Sequence, residues 1–149
     1  MLAANGGEFR APHMIYLTRK IEFSASHLYH NPAFSAEENR RVFGKCNNPF
    51  GHGHSYALDV TVEGPVDSSG QVADREALDQ LVKRYVLRLV DHKNLNQDVP
   101  AFAGVPTTEN LAAFIERLLM EHWDLTARLA SIRISETERN TFELEATGK

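Results

Sequence analysis

Apolar and polar positions alternate along the chain from Met14 onward. Every second position in this stretch is apolar except Arg19. These positions, called the apolar parity below, are occupied by Ile15, Leu17, Ile21, Phe23 and Ala25. A second alternating run covers about His54 to Glu63, with an apolar face of Tyr56, Leu58, Val60 and Val62. A period of two is typical of a strand that buries one face. The pattern therefore predicts two half-buried strands near the start of the chain.

A long connection joins the two predicted strands and runs from about Ser24 to Gly51. Within it, Ser35-Ala36-Glu37-Glu38 has the form of a capping box, which predicts the start of a short helix. A connection of this length in a small domain more often carries functional residues than serves only to join two strands.

The rest of the chain changes to a helical period and then returns to alternation. Asp74 can cap a helix whose apolar face is Leu78, Leu81, Val82, Tyr85 and Leu89. After a predicted loop, "DHKNLNQDVPAF", Pro106-Thr107-Thr108 opens a second helix with Leu111, Phe114, Ile115 and Leu118. Alternation resumes at Ile132 and Ile134, then at Phe142 and Leu144. The order β-β-α-α-β-β predicts an α+β fold, an antiparallel sheet with helices on one face.

Composition narrows the classes of function. The 149 residues are 42% hydrophobic and 24% charged, which fits one globular domain, expected over residues 13–149 after a disordered leader at 1–12. The net charge of -4, without a long basic run, argues against a nucleic-acid partner. We expect no membrane span, because no apolar run is long enough. The single cysteine, Cys46, fits a reducing compartment, so we expect a cytoplasmic protein.

Three histidines are predicted to meet at the end of the inner face. His52 and His54 are two residues apart on a strand and therefore point the same way, while His27 continues the apolar parity of the first strand. Three imidazoles with an open fourth position are typical of catalytic zinc. The alternative is a set of core histidines bonded to the backbone. The other histidines, His13, His30 and His122, have no such neighbours and are expected on the surface or in loops.

Cys46 leaves several interpretations open. It can be a fourth metal ligand, a small buried side chain or a reactive thiol. Its neighbours Lys45, Asn47 and Asn48 form a polar loop, and a nearby ammonium favours the thiolate. The dipeptide Asp91-His92 lies where the first long helix should end. It is either a polar helix terminus or part of a relay with the thiol.

Glu136 follows Ile132 and Ile134 on the buried parity, which is unusual for a carboxylate. It can pair with a nearby arginine, Arg133 or Arg139. Otherwise it is a ligand anchor, since a buried carboxylate requires N–H donors.

Seven motifs occur in order: "FSASH", "EEN", "FGKCNNPFGHGHSY", "LDVTVEG", "DHKNLNQDVPAFA", "PTTEN" and "SET". Over about residues 14 to 148 they resemble the 6-pyruvoyl-tetrahydropterin synthase family. The resemblance implies the tunnelling fold (T-fold) and a homohexamer built from two trimers, with active sites between subunits. Exposed sheet edges would suit such an assembly.

The resemblance also implies roles for individual residues. His27, His52 and His54 match the zinc ligands, and Cys46, Asp91 and His92 match the catalytic triad. Glu136 matches the pterin-anchoring glutamate, and Thr107, Thr108 and Glu109 match a segment that helps to hold the pterin. The implied reaction converts 7,8-dihydroneopterin 3'-triphosphate to 6-pyruvoyl-tetrahydropterin and triphosphate. The cations that could bind the triphosphate are Lys45, Lys93, Arg40 and Arg41.

Three rival functions share these features. In 6-carboxy-tetrahydropterin synthase of queuosine biosynthesis the thiol typically lies three residues before His-x-His, whereas residues 47–51 intervene here. A related aldolase usually has Glu at or beside the thiol position, yet no acidic residue lies between Glu38 and His52. A non-enzymatic zinc-binding subunit would use the histidines structurally, and its Cys46, Asp91 and Glu136 would be dispensable.

Overall fold

A long antiparallel hairpin forms the centre of the protein in this computed structural model, which describes residues 13–100, 102 and 104–147. Strand β1 (Met14–His27) pairs with β2 (His52–Pro65) along their whole length, so that His27 lies opposite His52. Both strands were predicted, although β2 begins two residues earlier than its alternation indicated. The predicted disordered leader, residues 1–12, lies outside the described residues.

The connection between β1 and β2 contains helix α1 (Ala36–Phe43) and a 3₁₀ turn at Gly44–Asn47. The Ser35 side chain accepts a hydrogen bond from the backbone N–H of Glu38, as the capping box predicted. Asn39 is buried, and its side-chain amide is hydrogen-bonded to the backbone of Asn31 and Ser35, which precede the helix. A polar side chain thus helps to hold the long connection in place, beside the packing of Phe34 on Phe43.

The first long helix is divided into α2 (Arg75–Val82), a π-helical segment (Lys83–Leu87) and α3 (Arg88–Val90). Asp74 caps it as predicted. The predicted apolar face was wrong beyond Val82, because Tyr85 is only half-buried and Leu89 is 39% exposed. The π-helical segment widens one turn of the helix, so that residues four apart in sequence remain on the side that faces the core. The buried residues are Leu78, Leu81, Val82, Val86 and Val90.

The stretch after α3, predicted to be a loop, contains a short strand. This strand, β3 (Lys93–Asn94), pairs in parallel with Ala25 and Ser26 of β1. The prediction of a purely antiparallel sheet was therefore wrong at one edge. Two residues give no alternation to detect, which is why the pattern did not indicate this strand.

The remaining elements are α4 (Thr108–Glu121), β4 (Arg128–Ser135) and β5 (Thr141–Glu145). The sheet order is β3-β1-β2-β4-β5. One face of the sheet packs against the helices in a single core that includes Leu58, Val60, Ile132 and Ile134. The predicted α+β class and element order are confirmed. Among the described residues, no helix has the length and apolarity that crossing a membrane requires.

Candidate metal and substrate site

The three predicted histidines meet at the end of the inner face. His27 Nε2 lies 3.2 Å from His52 Nε2, and the ring centroids of His52 and His54 are 4.5 Å apart. One ligand atom from each histidine and the sulfur of Cys46 all lie within 4.8 Å of one another. The structure therefore gathers a set of nitrogen and sulfur donors that can hold one metal ion.

Gly51 makes this approach of the two strands possible. Its φ is +69°, in the left-handed region, and an added Cβ would lie 2.8 Å from the carbonyl oxygen of His27. Because only glycine fits there without strain, the loop enters β2 directly against the end of β1. His52 is thereby brought opposite His27.

The buried histidines are held in the neutral form that binds metals. Burial, followed by the neighbouring His54 and His52, lowers the pKa of His27 to about 3. Burial also lowers the pKa of His54. The buried Nε2 of His54 has no hydrogen-bond partner among the described residues. An orphaned nitrogen costs free energy, and a metal ion would satisfy it.

Cys46 lies in the 3₁₀ turn, and its sulfur is 3.1 Å from His52 Nε2. Burial, and then the charge of Glu136, raises the pKa of this thiol. These two effects disfavour the thiolate that Lys45 was expected to favour, and Lys45 is not among the causes of the shift. By position, Cys46 can serve either as a fourth ligand or as a proton carrier beside the metal.

Glu136 follows β4 and faces the histidines, with its side chain only 10% exposed. Its Oε1 lies 3.2 Å from His54 Nε2, without hydrogen-bond geometry, and accepts a hydrogen bond from the Tyr29 hydroxyl at 3.3 Å. Arg133, one of the two arginines considered as its partner, instead contacts Glu143 at 3.4 Å. The carboxylate is thus directed into the donor cluster.

Asp91 and His92 lie elsewhere in the same chain. Asp91 accepts a hydrogen bond from the backbone N–H of Ser24 at 3.0 Å, and the His92 side chain is 82% exposed. His92 lines an open pocket of about 590 Å³ together with Lys93 and with residues of β1 and β2 that include His54. Among the described residues, no hydrogen bond or ion pair joins the sulfur of Cys46 to Asp91 or His92, and this sulfur contacts His52. The relay of thiol, imidazole and carboxylate stays a prediction.

The segment Thr107-Thr108-Glu109 begins α4. Thr107 caps the helix by accepting from the backbone N–H of Asn110, and Glu109 is exposed. The Thr108 hydroxyl is buried and has no hydrogen-bond partner among the described residues. Helix capping therefore accounts for Thr107, whereas the Thr108 hydroxyl lies close enough to Tyr29 to influence the pKa of that phenol.

The sequence over residues 16–147 matches the family described as 6-pyruvoyl tetrahydropterin synthase. The chain belongs to this family. A 6-pyruvoyl tetrahydrobiopterin synthase of Poecilia reticulata is 42% identical over 147 residues, covering 93% of this chain and 95% of that one. The human protein of the same name is 39% identical with the same coverage. The Caenorhabditis elegans 6-pyruvoyl tetrahydropterin synthase structure has a TM-score of 0.86 at 37% identity, covering 94% of this chain and 100% of that one.

Two tyrosines of this family member were not recognised as polar site residues from the sequence. Tyr56 was assigned only to an apolar face, and Tyr29 was not considered, yet both are buried beside His27. Burial raises the pKa of both phenols, which therefore stay protonated. The signal was the i+2 step: Tyr29 follows His27 and Tyr56 follows His54, so each hydroxyl continues a row of inward-facing site residues.

Proposed function

We propose that this protein is a zinc-dependent phosphorus–oxygen lyase that converts 7,8-dihydroneopterin 3'-triphosphate to 6-pyruvoyl-tetrahydropterin and triphosphate. The observation that carries the proposal is the single cluster of three histidines, one thiol and one carboxylate. The names of the relatives, which share about 40% of the sequence, support the same activity. A free cysteine in the site supports a cytoplasmic location.

His27, His52 and His54 would hold the zinc, since an imidazole-rich site with an adjacent thiol suits this metal. When bound, zinc would act as a Lewis acid toward the side-chain oxygens of the substrate and acidify the adjacent C–H bonds. The hydrogen-bonding distance of 2.9 Å between His27 Nδ1 and the Tyr56 hydroxyl leaves Nε2 of this ring free for the metal.

Cys46, as the thiolate that the positive charge of a bound metal would favour, would take a proton from substrate carbon and return it, because it lies beside the metal ligands and is the one thiol in the chain. Glu136 would accept hydrogen bonds from the amide and amino groups of the pterin ring through both carboxylate oxygens. The buried hydroxyl of Thr108 would be a further polar contact, next to Thr107 and Glu109 at the start of α4. Lys45 and Lys93 are exposed and would attract the triphosphate together with Arg40 and Arg41.

Asp91 and His92 would act in the site of a neighbouring subunit. Among the described residues, no hydrogen bond or ion pair joins them to Cys46, and the exposed imidazole of His92 is available to a second copy. Among the described residues, β5 has an open outer edge, and β3 covers β1 only at Ala25 and Ser26. Open edges of this kind favour association between subunits, so we propose a homohexamer made of two trimers.

The product decides between this function and its rivals. Purified protein loaded with zinc should be incubated with 7,8-dihydroneopterin 3'-triphosphate, and the pterin product identified by mass spectrometry. We expect 6-pyruvoyl-tetrahydropterin and free triphosphate. A 6-carboxy product would assign the queuosine reaction, loss of the side chain as an aldehyde would assign the aldolase, and unchanged substrate would indicate a non-enzymatic subunit.

A further inference from the structure

Two buried phenols contact the site from different sides of one histidine. Tyr56 lies on β2 and Tyr29 lies just beyond the end of β1, and both side chains pack beside His27. The two hydroxyls contact different groups. The Tyr56 hydroxyl contacts Nδ1 of His27, and the Tyr29 hydroxyl donates to the carboxylate of Glu136. This division suggests two separate positioning tasks.

The Tyr56 hydroxyl lies 2.9 Å from His27 Nδ1. Its ring is fixed by stacking on Phe23, with centroids 4.9 Å apart and planes 11° from parallel. A neutral imidazole that binds a metal through Nε2 carries its proton on Nδ1 and needs an acceptor there. A phenol oxygen held at this distance provides that acceptor and fixes both the tautomer and the ring orientation.

The Tyr29 hydroxyl donates to Glu136 Oε1 at 3.3 Å. The 3₁₀ turn at Gly44–Asn47 holds the backbone of Tyr29 through two hydrogen bonds of 2.7 Å each. The Tyr29 N–H donates to the Cys46 carbonyl, and the Tyr29 carbonyl accepts from the Asn47 side-chain amide. Its ring stacks on His27 with centroids 4.1 Å apart. The phenol is therefore a rigid donor that holds the carboxylate in one orientation.

We propose that Tyr56 is the positioning residue for the metal ligand His27, and that Tyr29 is the positioning residue for the pterin-anchoring carboxylate of Glu136. The first assignment requires only that the histidines bind zinc. The second rests on the proposed function, because it requires that Glu136 binds a pterin.

The test uses Tyr56→Phe and Tyr29→Phe, each as the matched control of the other, since each removes one buried hydroxyl beside His27. The zinc Kd is measured by competition with a chelator, and the Kd of 7,8-dihydroneopterin is measured on the zinc-loaded proteins. Tyr56→Phe should weaken zinc binding by about 10–100-fold, the usual effect of losing an outer partner of a ligand. Tyr29→Phe should leave zinc binding unchanged and weaken pterin binding by roughly tenfold.

A double-mutant cycle distinguishes a positioning role of Tyr29 from a merely structural one. In the Glu136→Gln background, Tyr29→Phe should weaken pterin binding much less than it does in the wild type, because it acts through the carboxylate. Equal effects in both backgrounds would overturn the assignment of Tyr29. Equal zinc affinity in the wild type and Tyr56→Phe would overturn that of Tyr56. A wild type that binds zinc but no dihydroneopterin would remove the proposed function and the Tyr29 assignment, but not the Tyr56 assignment.

The wild type supplies a measurement that does not depend on the folding of any variant. In the zinc-loaded protein, nitrogen-15 NMR should show His27 with a proton on Nδ1 and the metal on Nε2. Binding of the metal through Nδ1 would contradict the role of Tyr56.

Discussion

His27 is the most constrained side chain of the site, at 1% exposure. It contacts His52 through one nitrogen and Tyr56 through the other, and Tyr29 covers one face of its ring. A residue with every polar atom and one face occupied has little freedom to reorient. The His27 side chain would therefore lose little conformational freedom on binding a metal, which would lower the cost of binding.

Cys46→Ala should retain zinc and lose turnover. Three histidines supply the protein's share of a catalytic zinc site, so removing the thiol should leave the metal stoichiometry intact. Loss of a positioned proton carrier should lower kcat by about 10²–10⁴-fold. Metal content and turnover should be measured on one preparation. Loss of zinc would make Cys46 a ligand, and full activity would exclude it from the mechanism.

Glu136→Gln should raise KM while zinc content and Tm stay unchanged. The amide keeps the shape of the side chain but loses the charge-assisted pair of hydrogen bonds to the ring. Each such bond is worth about 1.5–3 kcal/mol, so we expect at least roughly a tenfold increase in KM. Glu138→Gln, which changes an exposed carboxylate two residues further on, is the matched control. Identical KM values for both variants would remove Glu136 from the substrate site.

Alternation along three strands, β1, β2 and β4, was sufficient to predict which residues share the inner face at the site. It placed His27, His52, His54 and Glu136 on one side, and the structure brings their polar atoms together. The alternation could not predict that the Tyr56 hydroxyl contacts His27, because a tyrosine among the apolar positions of a strand is ordinarily a core residue. Nor could it predict the higher pKa of the Cys46 thiol, which depends on burial and on Glu136, distant in sequence.

At the scale of elements, an ion pair links the central hairpin to the first long helix. Arg19, which interrupts the apolar positions between Ile15 and Ala25 of β1, donates two hydrogen bonds to Asp79 of α2, at 2.9 and 2.7 Å. These hydrogen bonds, more than the charge itself, lower the pKa of Asp79. The exception in the sequence pattern therefore has a partner on the facing helix.

Asp79→Asn should lower stability modestly at pH 7, by no more than a few degrees in Tm, because the pair is partly exposed. The folded-state pKa of Asp79 is depressed, so its contribution is complete above the unfolded pKa and is lost as the pH falls through the folded one. The difference from the wild type should therefore begin to shrink below about pH 4 and disappear once the pH lies below the folded pKa. Thermal unfolding at several pH values checks this, with Asp124→Asn, at an exposed site, as the control. A difference that persists in acid would be inconsistent with the ion pair.

The elements missed from the sequence are those whose signals are short or irregular. The strand β3 has two residues and depends on backbone pairing with Ala25 and Ser26, which no pattern in its own residues reveals. The π-helical segment shifts the buried stripe to Val86 and Val90, whereas a regular α-helical period predicted Tyr85 and Leu89. Elements with a long, regular periodicity were predicted correctly, whereas local departures from that periodicity were not.

At the scale of the whole molecule, the proposed sharing of sites between subunits requires an oligomer. One chain brings together the candidate metal ligands, the thiol and the carboxylate, whereas no described contact joins its exposed His92 to the thiol. We expect light scattering to show an assembly of six chains at micromolar concentration. A monomer under these conditions would contradict the sharing of sites between subunits.

Subunit sharing predicts that two inactive variants restore activity together. Cys46→Ala and His92→Ala should each be nearly inactive alone. In randomly mixed oligomers, about one quarter of the sites would combine an intact thiol with an intact imidazole from a neighbour. Turnover of coexpressed variants should approach that fraction of the wild type, with coexpressed Cys46→Ala and Cys46→Ser as the control. No recovery in verified mixed oligomers would place both groups on one chain.

The π-helical segment between α2 and α3 means that this helix carries one residue more than its hydrophobic register needs. If Lys83, which is exposed, were deleted, Val86 and Val90 would take the places of Tyr85 and Leu89 in a continuous α-helix with roughly 3.6 residues per turn. The same side chains would face the core, and Asp91 would still follow the last turn. We expect the shortened chain to fold with undiminished helical circular dichroism. We therefore expect a difference of one residue in length to be tolerated inside this helix, without any change in a loop.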